Sequence, residues 1–157
     1  MHPKRKNQDG VTLVELLVVV AILGILGGIT GLFLMKYLPE HHLRSAASTL
    51  SQDLRQAQMG ALKRLRPWVV NFNTGTHAYQ IIDFGPDRIS GGGDDIIVKT
   101  VSLASYDGTI RFEPGTDAQA RFNEDGMGAG SAQIVLSNSR GTTTTISVLR
   151  TGAIRVQ

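Results

Sequence analysis

The 157-residue chain contains no cysteine. That excludes disulfide staples, thiolate metal sites, a cysteine nucleophile and a lipid-modified cysteine. Net charge is also scarce. The formal value is +3, and Lys4, Arg5 and Lys6 set against Asp9 confine +2 of it to the first ten residues. The rest is close to balance, so composition does not indicate a protein that coats nucleic acid. Catalytic motifs are missing too: no G-x-S-x-G, H-E-x-x-H or phosphate-binding glycine loop occurs. Gly126-Met127-Gly128-Ala129-Gly130 lacks the Lys-Ser/Thr that should follow such a loop and the buried parallel strand that should precede it. No enzyme site, no cofactor and no metal is therefore expected.

What is present is unevenly distributed. From Leu16 to Met35 runs a 20-residue stretch without a charge, and a helix of that length spans roughly 30 Å, the hydrocarbon thickness of a bilayer. The Lys4-Arg5-Lys6 cluster precedes it and Lys36 closes it. The positive-inside rule keeps that cluster in the cytoplasm and sends residues 36–157 outward. A cleaved secretory signal has a similar layout, but its apolar region is usually about 7–15 residues, and the one small-residue site, Ser45-Ala46-Ala47, is poorly spaced. A membrane anchor fits better than that or a buried globular helix. Gly24/Gly28 and Gly27/Gly31 form two overlapping small-xxx-small pairs, either helix-packing positions or ordinary glycine usage in a membrane segment.

Glu15 stands at the edge of this apolar run. An ionised carboxylate in a membrane helix costs about 2.5–3.5 kcal/mol at mid-bilayer and less near an end, so such groups usually have a partner. Cleavage after Gly10 would give Val11 a new α-ammonium one helical turn away. First-turn carboxylates also face the favourable end of the helix dipole.

Gly10-Val11-Thr12-Leu13-Val14-Glu15 resembles the cleavage signature of type IV prepilins and type II secretion pseudopilins. It has a short basic leader ending in glycine, an apolar residue, Thr, Leu, any residue, Glu, and then an apolar helix. The resemblance implies that prepilin peptidase cuts between Gly10 and Val11, that Val11 is N-methylated, and that Glu15 is the assembly carboxylate. Two departures are Val11 where phenylalanine is usual and Leu32 near the place of a mid-helix proline; Pro39 comes later.

Beyond Pro39, Leu43, Ala47, Leu50, Leu54, Ala57, Ala61 and Leu65 recur at helical spacing as one apolar stripe. Arg44, Gln52, Asp53, Arg55 and Lys63 fall on the other faces, and Arg66-Pro67 should end the helix. The remainder reads as strands: 68–72 and 78–83 flanking a hairpin turn, then 95–103, 109–113 and 119–123, and a closing meander of 133–137, 143–149 and 153–156. The expected fold is α+β: a long N-terminal helix packed on an antiparallel β-sheet domain, pilin-like. The expected division is leader 1–10, transmembrane and filament-core helix 11–35, amphipathic extension 36–66 and periplasmic β domain 67–157. Phe122–Gln157 resembles the C-terminal half of the GspH/FimT group of minor pilins and pseudopilins, with its loop, apolar strand, glycine turn, further strand and terminal "tG-x-x-R" strand.

The function implied is that of a minor pseudopilin of a type II secretion system, placed at or near the tip of a pseudopilus. It would be anchored by one pass in a bacterial inner membrane, with other pilins and secreted cargo as partners. The alternative is a FimT-like minor pilin of a type IV pilus, acting in assembly or DNA uptake. Arg140, Arg150 and Arg155 would then meet DNA, and Arg55, Lys63, Arg64 and Arg66 make a second basic cluster. FimT-type receptors use a glycine-arginine-x-arginine motif, and Gly152-Ala153-Ile154-Arg155 has alanine where the first arginine would sit. Two adjacent aspartates in Pro86–Val98 suit either a solvated loop or a calcium site. His41 and His42 point about 100° apart on a helix and cannot share a metal, and His77 is expected on the surface.

Overall fold

The computed structural model describes residues 12–157 apart from residue 107, and the side chains of these apart from 29–36. Gly10 and Val11, with the leader 1–10, lie outside the described residues, and the surroundings of Gly31 are likewise not described. Helix α1 runs Leu13–Arg64, with Pro39 inside it. Proline removes one i→i−4 hydrogen bond at that point, close to where the chain divides into two units, Met1–Tyr37 and Leu38–Gln157.

In the second unit, eight strands follow α1: β1 Trp68–Asn73, β2 Ala78–Asp83, β3 Ile96–Ser102, β4 Arg111–Phe112, β5 Gln119–Phe122, β6 Ala132–Ser137, β7 Thr143–Val148 and β8 Ile154–Val156. The sequence pattern places all eight within a few residues, but it does not show that they form two antiparallel sheets. The first has the order β3-β2-β1-β5 and the second β4-β6-β7-β8. Nothing local distinguishes them, because the chain leaves the first sheet at β3, enters the second at β4 and returns for β5.

One apolar cluster joins the helix to both sheets. Leu43, Ala46, Ala47, Leu50, Leu54, Ala57 and Ala61 supply the helical side of it. Four alanines in the stripe let sheet side chains approach the helix backbone, and each fully buried leucine contributes about 1.5–3 kcal/mol. Ala46 and Ala47 lie within this buried face, with Ser45 half-buried beside them.

Two of the sequence expectations on this helix fail. Leu65 was expected in the stripe but is 62% exposed, because α1 has already ended. Leu65 adopts φ 51°, and Arg66 N donates to Ala61 O at 3.3 Å, the long bond of a Schellman cap. Asp53 was expected on a polar face but is buried. Its carboxylate accepts from Tyr79 Oη at 2.6 Å and from Lys99 Nζ at 2.7 and 2.8 Å, so one polar clamp ties α1 to β2 and β3. Burial and the neighbouring Asp53 carboxylate push the Tyr79 hydroxyl pKa well above its ordinary value of 10.

A second buried carboxylate, Asp83, closes the helix end: Arg64 Nη1 lies 2.9 Å and Arg66 Nε 2.7 Å from it, and Gly85 N donates to it at 3.2 Å. Gly60 is required by packing, since a Cβ there would meet the Trp68 ring at 2.6 Å.

Two outcomes follow for stability. Leu65→Gly relieves a left-handed leucine at an exposed site and should stabilise the chain by about 1 kcal/mol, read by denaturant unfolding. Tyr79→Phe tests the clamp through pH. A tyrosine with a raised folded-state pKa contributes stability that is fully present below pH 10 and lost above it. The wild-type advantage over Tyr79→Phe should therefore be constant from neutral pH to about 9 and shrink beyond 10; an advantage that grows above pH 10 contradicts the clamp.

Candidate assembly site

The first described residues form a helix cap. Thr12 Oγ1 accepts from Glu15 N at 3.3 Å, and Leu16 N donates to Thr12 O at 3.2 Å. Thr12 is thus the N-cap, with Glu15 three residues on, the spacing of a capping box. The sequence reading treated Thr12 only as part of a cleavage signature, although T-x-x-E before an apolar run was itself a legible cap. The cap places Glu15 in the first turn of α1, where the dipole favours a negative charge. Glu15 makes no ion pair among the described residues.

From Leu13 to Leu26 every large apolar side chain is about half exposed or more, on all sides of the helix. A Cβ at Gly24, Gly27 or Gly28 would meet nothing within 4 Å, so no contact among the described residues requires glycine at these positions. Among the described residues no helix is long and apolar enough to cross a membrane. The described side chains of this segment run from Leu13 to Gly28, about 24 Å of helix at 1.5 Å per residue. The remainder of the uncharged run to Met35 falls among 29–36.

Of the predicted DNA-facing arginines, Arg140 is set apart from Arg150 and Arg155. Arg140 lies in the turn between β6 and β7, and Arg150 in the turn between β7 and β8, at opposite ends of a six-residue strand that spans about 20 Å. Arg155 lies on β8 opposite Ser147. In the second basic cluster, Arg64 and Arg66 are engaged by Asp83. His77 is not simply solvated: its Nδ1 accepts from Phe112 N at 3.2 Å. In the 86–98 loop, Asp94 and Asp95 accept from the backbone N–H groups of Asp87 and Gly91. No group of three or more metal-ligating side chains occurs among the described residues.

The glycine of the terminal "tG-x-x-R" strand does have a structural reason. Gly152 has φ +80°, and a Cβ there would meet Gln58 Nε2 and Gly126 O, both at 2.5 Å. Gln58 Nε2, on α1, donates to Gly126 O at 2.8 Å and Gly152 O at 3.1 Å. One helix amide thereby holds two loops of the C-terminal third, a role no local pattern announces.

A capped apolar helix whose second part docks on two antiparallel sheets defines a pilin-like protein. Solved structures share the fold. Type IV minor pilin FimU of Pseudomonas aeruginosa (strain PAO1) superposes with TM-score 0.60 at 14% identity over 77% of this chain and 92% of that one. The minor pseudopilin EpsH from the type 2 secretion system of Vibrio cholerae does so with TM-score 0.58 at 12% identity, over 74% and 96%. No curated protein matches the chain by sequence. Residues 46–152 match the family described as Type II transport protein GspH, and the chain belongs to that family. Residues 5–31 match the prokaryotic N-terminal methylation motif.

The Gln58 bridge makes a separate prediction. Gln58→Ala leaves two loop carbonyls without their donor and should cost about 1–3 kcal/mol, read as a lowered denaturant midpoint; an unchanged midpoint would remove Gln58 from the account.

Proposed function

We propose that the chain is a minor pseudopilin of a type II secretion system, a building block rather than an enzyme. Prepilin peptidase cleaves the leader 1–10 between Gly10 and Val11, and Val11 becomes the methylated N-terminus. Residues 11–35 hold the chain in the bacterial inner membrane by a single pass. The extension 36–66 and the β domain 67–157 stand on the periplasmic side. On assembly the helix leaves lipid for the core of a pseudopilus, and the β domain sits at or near the tip, in reach of other pseudopilins and secreted cargo.

The observation that carries this reading is the capped helix with Glu15 in its first turn and, from Leu13 to Leu26, large apolar side chains exposed on every side. Such a surface needs lipid or neighbouring helices. Both serve in turn if the segment moves from membrane to filament. Glu15 would pair with the Val11 ammonium, its own or a neighbour's, since an unpaired carboxylate in lipid costs about 2.5–3.5 kcal/mol at depth. Helices then associate through close packing, which Gly24, Gly27, Gly28 and Gly31 permit.

The fold shared with FimU supports a second reading, a type IV pilus minor pilin. Its DNA-binding version is poorly served by the arginines, since Arg140 stands at the opposite end of β7 from Arg150 and Arg155. Three phosphate contacts would give weak, salt-sensitive binding.

Two measurements test the proposal. Mass spectrometry of the membrane-extracted protein should find a methylated Val11 as the first residue; a chain still beginning at Met1 contradicts the processing route. Glu15→Ala should leave the protein in the membrane fraction but absent from sheared filaments. Normal incorporation of that variant would remove Glu15 from assembly.

A further inference from the structure

Near the end of α1, on the side turned away from the buried stripe, Gln56, Met59, Gly60, Lys63, Arg64 and Trp68 line a notch of about 260 Å³. Gly60 admits the indole, because the Trp68 ring lies where a Cβ would stand. Arg64 is held as one wall: its guanidinium carbon is 5.8 Å from the centre of the Trp68 ring, and Nη1 is 2.9 Å from Asp83. Met59 and Leu62 are both exposed and, three residues apart, are neighbours on the helix surface.

The charge on this face has one sign. Arg55 and Lys63 stand four residues before and after Met59, on its side of the helix, and both are exposed. Neither forms an ion pair among the described residues. Between residues 41 and 82 the sequence holds a single acid, Asp53, which is buried and taken by Tyr79 and Lys99. Beyond Leu62, at the Gly126 turn, Glu124 pairs with Arg88 and Asp125 accepts from Met127 N.

We propose that this face receives an acidic segment of a different pseudopilin, which seats one large apolar side chain in the Trp68 notch and sets carboxylates against Arg55 and Lys63. Such docking rests on the pseudopilus reading above and gives it a contact surface. The notch is smaller than the roughly 300–1,000 Å³ of small-molecule sites, which suits a single anchoring side chain. Tryptophan, methionine and arginine are enriched at protein interfaces, whereas Met59 and Leu62 offer a phosphate backbone nothing. A second copy packed by this same face would set Arg55 and Lys63 against their own kind. A copy using another patch would propagate as an open array unless it closed a ring, unlike a subunit at or near a tip. The exposed cations govern encounter and choice of partner, and the anchor at Trp68 supplies affinity.

The test uses the full-length chain in cells that carry the whole secretion system. Gln56→p-benzoylphenylalanine places a photoreactive ring at the rim of the notch. Irradiation should give a product with a different pseudopilin, and mass spectrometry should place the link in a peptide with Asp or Glu beside a large apolar residue. Arg55→Glu with Lys63→Glu should cut the yield several-fold, and changing the acids of the linked peptide to lysine should restore it. Trp68 is the only tryptophan, so unchanged emission from the purified double variant checks that the notch is intact; the two single variants serve if it is not. A product with a second copy of the chain, with DNA or with a protein outside the pilin class would overturn the assignment. So would a linked peptide without an acid, or a yield that ignores the charge reversal. No product from a chain with methylated Val11 overturns this inference alone, whereas an uncleaved N-terminus strikes the reading beneath it.

Discussion

A helix that is apolar on every side cannot remain in water, and one that is apolar on a single stripe cannot remain in lipid. α1 contains both kinds of surface, and everything else in the molecule follows from that division. From Leu13 to Leu26 the large apolar side chains are about half exposed or more on every side of the helix. After Pro39, a stripe of leucine and alanine is covered by two sheets. The first part needs an environment that the chain does not supply; the second makes its own.

The docked part is held by more than apolar area. Asp53 and Asp83 are both buried carboxylates, and each is met by cations from other elements. Burying a charge is costly unless it is paired and hydrogen-bonded, so these positions favour one register of helix on sheet over its neighbours. Sliding α1 by one turn would leave Asp53 without Tyr79 and Lys99. Gln58 adds a third polar tie, to the loops at Gly126 and Gly152.

Much of this was legible before any coordinates. The apolar run, the stripe spacing, the strand positions and the glycine turns are all local, and periodicity reports local geometry directly. So is the T-x-x-E cap, which was present in the sequence and was overlooked within a larger signature. Leu65 misled for a physical reason: it continues the stripe by spacing, yet the Schellman turn stops the helix one residue earlier. Asp53 misled because a helical wheel sorts by polarity, and a carboxylate among apolar neighbours looks misplaced until its partners from β2 and β3 arrive.

The sequence by itself determined the class of protein: a leader signature, an uncharged helix, an amphipathic extension and a β-rich remainder, since each is written in contiguous residues. Tertiary structure alone decided that the strands divide into two sheets and that Asp53 and Asp83 are clamps. It also set Arg140 apart from Arg150 and Arg155, at the other end of β7. Those outcomes depend on which distant segments become neighbours, and side-chain spacing along one element carries no information about that.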